Sequence, residues 1–290
     1  MKVSGFTFIK NAVKYQYPIA EAIRSILPLC DEVIVAVGDC SDGTRELVAS
    51  IDQKIKIIDT IWDENLQQGG RVLAAETDKA FHAIGEDVDW CVYIQGDEVL
   101  HEDGLKEIQQ AMLQWKDDKN IDGLLLNYKH FYGSYDYVGA STSWYPKEIR
   151  IIKNNKKIYS YRDAQGFRKE DDKKLRVKAL QASMFHYGWV REPKVMQAKQ
   201  NNSSRFWHGD ASSEEAEKNY SGDFDYSQID ALEKFTGKHP AVMQPLIDTM
   251  NWTFSYDLSY NNYTLKDRIK LFLEKLTGKR FFDYQNYILV

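Results

Sequence analysis

Three short runs of this chain are apolar at every position of an extended strand: Val33–Val37 (VIVAV), Trp90–Ile94 (WCVYI) and, over most of its length, Gly123–Tyr128 (GLLLNY). A strand with one wet face alternates apolar and polar residues. Uninterrupted runs suit strands covered on both faces, which means a parallel sheet with helices above and below. The stretches between them carry helical spacing. Pro18 suits a first helical turn, and Ile19, Ala22, Ile23, Ile26 and Leu27 follow on one face. RELVAS follows the second strand, Arg71–Ile84 has Val72, Ala75, Lys79 and Ala83 roughly on one stripe, and Glu102–Trp115 has Leu105, Ile108 and Met112 on one face. With Val3–Ile9 as a first strand and Lys56–Asp59 as a weaker third, the alternation predicts an α/β fold: a mostly parallel central sheet with right-handed crossovers, flanked by helices.

From about Lys129 the rhythm changes. HFYGSYDYVGASTSWYP is aromatic and turn-rich, with strands expected at Glu148–Ile152 and Ala182–Tyr187, and residues from Pro193 onward read as largely helical. The expected organisation is one α/β domain over 1–210, with a first half (1–128) and a second, loop-rich half (129–210), and a helical extension over 211–290. In that extension Leu265, Ile269, Phe272, Leu273 and Leu276 share one side of a basic helix. The preferred reading is that this side packs on the catalytic domain or on a second subunit, giving a homo-oligomer. The alternative is peripheral contact with an anionic membrane.

Composition excludes several classes. Net charge is −5, which opposes general nucleic-acid binding. Cys30, Cys40 and Cys91 are odd in number and form no C-x-x-C pair, so neither a disulfide framework nor a structural zinc site is expected. No window approaches the roughly 20 apolar residues of a membrane span. A soluble cytoplasmic protein, at most at the inner face of the membrane, is the expectation. No G-x-G-x-x-G, P-loop or G-x-S-x-G elbow is present.

The chemistry lies in the polar turns after the strands, where ligands of open α/β sheets bind. Trp90–Ile94 ends in Gln95, Gly96, Asp97 and Glu98, an acidic turn suited to a hard divalent cation that also holds phosphate. Val33–Val37 ends in GDCSDGT, with Asp39 and Asp42 placed to accept hydrogen bonds from a base or ribose. The plain structural reading is that Asp42 and Thr44 cap the next helix and Gly43 serves the turn.

In order, VAVGDCSDGT, WDENLQQGGRVLAAETDKA and WCVYIQGDEVLHED resemble the nucleotide-binding half of family 2 glycosyltransferases of GT-A (Rossmann-like) fold. In that family the first turn usually reads V-D-D/N-x-S-x-D-x-T and the metal turn Asp-x-Asp. Here Gly38 stands where an acid is common, and Gln95 replaces the first Asp of the metal turn. The resemblance implies an inverting transfer of sugar from a nucleotide-sugar donor to a saccharide or lipid-linked acceptor, in cell-surface polysaccharide synthesis. It implies that Asp39 or Asp42 holds the nucleoside and that Asp97 binds Mn²⁺ or Mg²⁺ at the diphosphate. Gln95 is left to hydrogen-bond a ribose or water, and Glu98 to aid the metal or hydrogen-bond the donor sugar. Arg71, behind Gly69 and Gly70, faces the diphosphate or is an exposed first-turn arginine. His186, in MFHYGW, is a further metal ligand or a packed core histidine.

Inversion needs a base for the acceptor hydroxyl. Asp163, in YRDAQGFR beside Arg162 and Arg168, is the first choice, with Glu148 and Asp136 as alternatives. Tyr132, Trp144, Tyr145 and Trp189 are candidates to stack on sugar rings or are simply core. A non-catalytic nucleotide-sugar or carbohydrate-binding member of the same fold is the competing reading, motivated by Gln95.

Overall fold

The computed structural model describes residues 1–66, 68–208, 222–278, 280–281 and 283–290. The first half builds β1 (Val3–Ile9), α1 (Ile19–Ile26), β2 (Glu32–Gly38), α2 (Thr44–Ala49), β3 (Ile55–Thr60), α3 (Arg71–His82), β4 (Trp90–Tyr93), β5 (Glu98–Leu100), α4 (Leu105–Trp115) and β6 (Gly123–Tyr132). The second half adds β7 (Tyr137–Gly139), β8 (Lys147–Lys153), β9 (Ile158–Tyr161), β10 (Gly166–Lys169), β11 (Lys173–Trp189) and α5 (Pro193–His208). After the undescribed residues come β12 (Leu232–Lys234), short helix Gln244–Asp248, helix Leu265–Thr277 and β13 (Tyr287–Leu289).

The strands run in the order β3-β2-β1-β4-β8-β6-β11-β10-β9. β3, β2, β1 and β4 are mutually parallel, as are β6 and β11. β8 lies antiparallel between β4 and β6. The expected mostly parallel sheet flanked by helices is therefore present, and the uninterrupted apolar runs are its interior strands.

Alternation along those runs divides the core in two. Val33, Val35 and Val37 join Ile19, Ile23 and Ile26 of α1 and Ile108 and Met112 of α4 on one face. Ile34 and Ala36 join Phe81 of α3, Tyr93 and Ile149 on the other. Ile19, Ile23 and Ile26 are fully buried, and each such side chain contributes about 1.5–3 kcal/mol.

Two features of the second half position the site. Because β8 is antiparallel, its beginning lies level with the carboxyl ends of its neighbours, and Leu126 of β6 pairs with Glu148. β11 runs 17 residues, far past the strand expected at Ala182–Tyr187, through a register shift between Ala179 and Ser183. There the Glu107 carboxylate accepts from the Gln181 and Ala182 N–H groups at 2.8 and 2.7 Å. The 210/211 boundary falls outside the described residues. Beyond it, β13 returns to pair with β11 through Leu175–Tyr287 and Val177–Leu289.

Candidate active site

β5 pairs antiparallel with β11, and β11 parallel with β6, so Glu98, His186 and His130 stand in one row across three strands. Asp97 precedes that row, with its carbonyl accepting from Tyr187 N–H at 2.8 Å. Three groups surround its carboxylate. Lys199 of α5 donates to Oδ2 at 3.2 Å and to the Gly188 carbonyl at 2.8 Å. His186 Nε2 lies 3.8 Å from Oδ1. Gly188 leaves room for both, since a Cβ there would come within 2.5 Å of His186 Nε2 and 3.1 Å of Asp97 Oδ2.

Burial pushes the Asp97 carboxyl up, but the Lys199 and Arg191 charges outweigh it and hold the acid well below the usual carboxylate range. Burial and the Arg191 charge bring Lys199 down to about 8, so it remains largely cationic at neutral pH. Arg191 is itself buried, donating to the Tyr15 carbonyl at 2.8 Å and the Gly188 carbonyl at 2.6 Å. Its Nη2 has no hydrogen-bond partner among the described residues. Both cations lie over the Tyr17 ring, at 4.6 Å for Arg191 and 5.0 Å for Lys199. Asp97 thus faces two basic side chains that stand ready for a polyanion.

Hydrogen bonding assigns the histidine tautomers. His130 Nε2 meets the Tyr145 carbonyl at 2.8 Å, and a carbonyl only accepts, so Nε2 carries the proton. Burial pushes His130 down to about 3, with the neighbouring His186 adding to the shift, so its Nδ1 is a bare acceptor. His186 Nδ1, 3.1 Å away, must then donate. Burial also lowers His186, and its neutral ring is left with the Nε2 lone pair beside Asp97 Oδ1. Two acceptors with no proton between them suit a shared cation. Among the described residues no cluster of three or more His, Cys, Asp and Glu could hold a metal. Mg²⁺ and Mn²⁺ take one or two protein ligands plus substrate phosphates, so Asp97 and His186 fit that mode.

Glu98 is fully buried and turned inward. Its oxygens accept from Arg150 Nε at 2.9 Å and Nη2 at 2.8 Å, Tyr128 OH at 2.9 Å and Gln95 N–H at 3.1 Å. With those positions occupied, Glu98 serves as an internal anchor. Gln95 turns from Asp97 and donates to the Ala164 carbonyl at 3.1 Å. It thereby ties the acidic turn to the turn carrying Asp163. In that turn Arg162 and Ala164 adopt φ of 56° and 63°, left-handed values that strain non-glycine residues. Gln95 and Arg150, which donates to the Gln165 carbonyl at 3.2 Å, hold it there. Asp163 between them is half-buried, and burial raises its carboxyl. Glu148 is buried, and burial lifts it to about 7 with Glu98 and Asp163 adding to the effect, although Arg150 and the Ile149 N–H oppose it.

The remaining candidates divide. Asp42 lies just before α2 and accepts from Thr44 N–H at 3.1 Å and from Lys14 N–H at 2.7 Å, while Gly43 is the N-cap of α2 and no side chain caps it. Asp39 is exposed just beyond the end of β2, and Arg71 is exposed at the start of α3. The Gly38 departure has a steric basis: a Cβ there would lie 2.5 Å from Trp62 Nε1. Asp136 is exposed on a turn whose carbonyl pairs with Phe235 N–H. Tyr132 packs among Trp189, Tyr226 and Phe254. Trp144 and Tyr145 lie against His130, and Tyr145 is 38% exposed. Sequence reasoning missed Lys199 and Arg191. The available signal was weak: Arg191, Lys194 and Lys199 scattered over the segment after His186, HYGWVREPKVMQAK.

No family profile and no curated protein matches this sequence. Among solved structures, TarS of S. aureus is similar at 13% identity and a TM-score of 0.44, covering 76% of this chain. This chain spans 43% of that protein's length. The 1–349 portion of TarS in complex with UDP-GlcNAc gives 14% identity and a TM-score of 0.43, covering 74% of this chain and 70% of that one. Glucosyl-3-phosphoglycerate synthase of Mycobacterium tuberculosis, with Mn²⁺, UDP and phosphoglyceric acid, gives 19% identity and a TM-score of 0.29, covering 45% and 43%. The 4-diphosphocytidyl-2C-methyl-D-erythritol synthase of Anaerococcus prevotii gives 11% identity and a TM-score of 0.37, covering 62% and 87%.

Proposed function

We propose that this protein is a metal-assisted, inverting glycosyltransferase of GT-A type, family 2-like, acting on a nucleoside-diphosphate sugar. The observation that carries the reading is the Asp97 centre: a deprotonated carboxylate and an unprotonated imidazole nitrogen converge, with two buried cations beside them. That arrangement suits a diphosphate better than any neutral ligand. Asp97 and His186 would hold a divalent ion, and the positive charge it supplies would favour departure of the nucleoside diphosphate. Lys199 and Arg191 neutralise further phosphate oxygens, Asp39 accepts from the nucleoside, and Arg71 stands at the phosphate side. Asp163 is the acceptor base. Its turn is held by Gln95 and Arg150, as a positioned catalytic group requires.

The acceptor is a saccharide or lipid-linked saccharide, as in cell-surface polysaccharide synthesis. A thermal-shift screen of nucleoside diphosphates with and without Mn²⁺ tests the reading, because a ligand of the native state alone raises its melting temperature. One nucleotide should give a metal-dependent rise that Asp97→Ala abolishes. A rise of the same size in Asp97→Ala would remove this centre from the ligand site. Hydrolysis of the matching nucleotide sugar with Mn²⁺ then separates an enzyme from a binder, which would release no sugar.

A further inference from the structure

The helix Leu265–Thr277 is docked inside out. Its charged side is the paired one, to the Thr142 loop through Asp267 and to the segment just after the helix through Lys270 and Glu274. Asp267 accepts from Thr142 Oγ1 at 2.5 Å, buried Lys270 pairs with Asp283, and Glu274 accepts from Arg280 Nε at 2.9 Å. Its apolar stripe points away. Leu265, Ile269, Phe272 and Leu276 recur at the spacing of one helix face and are 75%, 51%, 65% and 71% exposed. None of them enters a core cluster of the described residues. The reading in which this side packs on the catalytic domain therefore gives way to an outward-facing stripe.

We propose that this stripe docks the protein on an anionic lipid bilayer. The rim of the stripe selects that occupant. Lys266 borders it on one side, Arg268 and Lys275 on the other, and all three are exposed. Asp267 and Glu274, the acidic residues of the helix, face inward through the contacts above. An apolar ridge with basic flanks is the signature of an interfacial helix, which sinks its ridge to the acyl boundary while the cations meet lipid phosphates. A second copy presenting the same surface would bring positive rim against positive rim. A single four-residue ridge also falls well short of the roughly 20–30 residues per side of a stable dimer. Among the described residues no helix is long and apolar enough to cross a membrane, so the contact is peripheral.

The docked helix also reaches the acceptor side. Asp267 binds Thr142, and Arg280, just past the helix, donates to the Trp144 carbonyl at 2.7 Å. Trp144 lies in the loop that packs on His130. A bilayer under this helix would hold an acceptor carried on a lipid near that loop. This last step rests on the proposed transferase function; the membrane contact does not.

The test is co-sedimentation of the full chain with vesicles of phosphatidylcholine alone and of phosphatidylcholine mixed with phosphatidylglycerol, without donor or acceptor. Truncation is unsuitable because it removes β13 from the sheet. The comparison is instead with Ile269→Glu/Phe272→Glu and with Lys266→Glu/Lys275→Glu, whose side chains are exposed and leave the melting temperature unchanged. Wild type should sediment with the anionic vesicles, at least roughly tenfold more than either double variant and more at low salt than at high. Equal sedimentation of wild type and variants, or none with either vesicle, overturns the proposal. So does a soluble dimer that Phe272→Glu dissociates, which would assign the stripe to a second copy. None of these failures bears on nucleotide binding, so the transferase reading stands or falls separately.

Discussion

At the scale of single residues, the site is set by which charges are paired inside the protein and which are left for a ligand. Glu98 and Asp97 are adjacent acids with opposite fates. Glu98 takes the Arg150 fork and is spent on structure, whereas Asp97 keeps a bare oxygen beside His186. Lys199 is the cation on the other Asp97 oxygen. Hydrogen bonds to charged groups contribute about 1.5–3 kcal/mol, so on the proposed transferase function Lys199→Gln should raise the KM for the nucleotide sugar roughly 10- to 100-fold, with Lys199→Arg recovering part of it. Steady-state kinetics alongside a melting curve check this, and an unchanged KM in a folded variant would remove Lys199 from the donor site. Glu148 is one source of pH dependence, beside the raised Asp78 and Asp163 carboxyls. Its carboxyl sits near 7 against an ordinary value of 4.5, so the folded state binds more protons than the unfolded state between those values. Stability from this group is full below about pH 4.5 and is lost as pH rises through about 7. Wild type should therefore lose melting temperature relative to Glu148→Gln between pH 5 and pH 8, as differential scanning fluorimetry would show. A constant difference would place Glu148 in an ordinary carboxylate environment.

At the scale of elements, legibility followed the strength of local patterning. β1, β2, β4 and the start of β6 were readable because each is apolar enough to be recognised without its partners, and the acidic turn after β4 was readable with them. β5, β9 and β10 were not. They have three or four residues each, and their identity as strands comes from pairing with distant segments. The same limit hid the inward turn of Glu98, whose partner Arg150 lies 52 residues on and arrives only because β8 runs antiparallel. Lys199 was hidden because α5 must double back over β11 to reach Asp97. Arg150 is the joint where β5, β8 and the Asp163 turn meet, so Arg150→Met leaves Glu98 charged and unpaired in the interior. Breaking one side of a buried pair costs about 3–5 kcal/mol, and for a chain of this size that is a melting-temperature loss of roughly 6 °C or more. A loss of only a degree or two would mean that water reaches Glu98.

At the scale of the whole molecule, residues 287–289 are built into the central sheet. β13 adds Tyr287–Leu289 to β11, and Tyr284 OH accepts from Arg168 Nη2 at 2.7 Å. Buried Asn286 would meet a Cβ placed on Gly166, two residues from Arg168. The last residues therefore close the β9-β10-β11 end of the sheet, which carries the Asp163 turn. A sequence reading that begins a separate extension at 211 has no means to see this, because YILV is too short and its partner lies more than a hundred residues back. The mechanical consequence is coupling: the helix Leu265–Thr277 is held between the Thr142–Trp144 loop and β13. Removing residues 285–290 should thus do more than fray a terminus. It should lower the melting temperature of the whole chain in a single transition and weaken hydrogen-exchange protection along β11, while the α1, β1 and β2 layer stays protected until global unfolding. Two separated transitions in the intact protein, or a deletion variant that melts like wild type, would show instead that the C-terminal segment is an independent unit resting on the catalytic body.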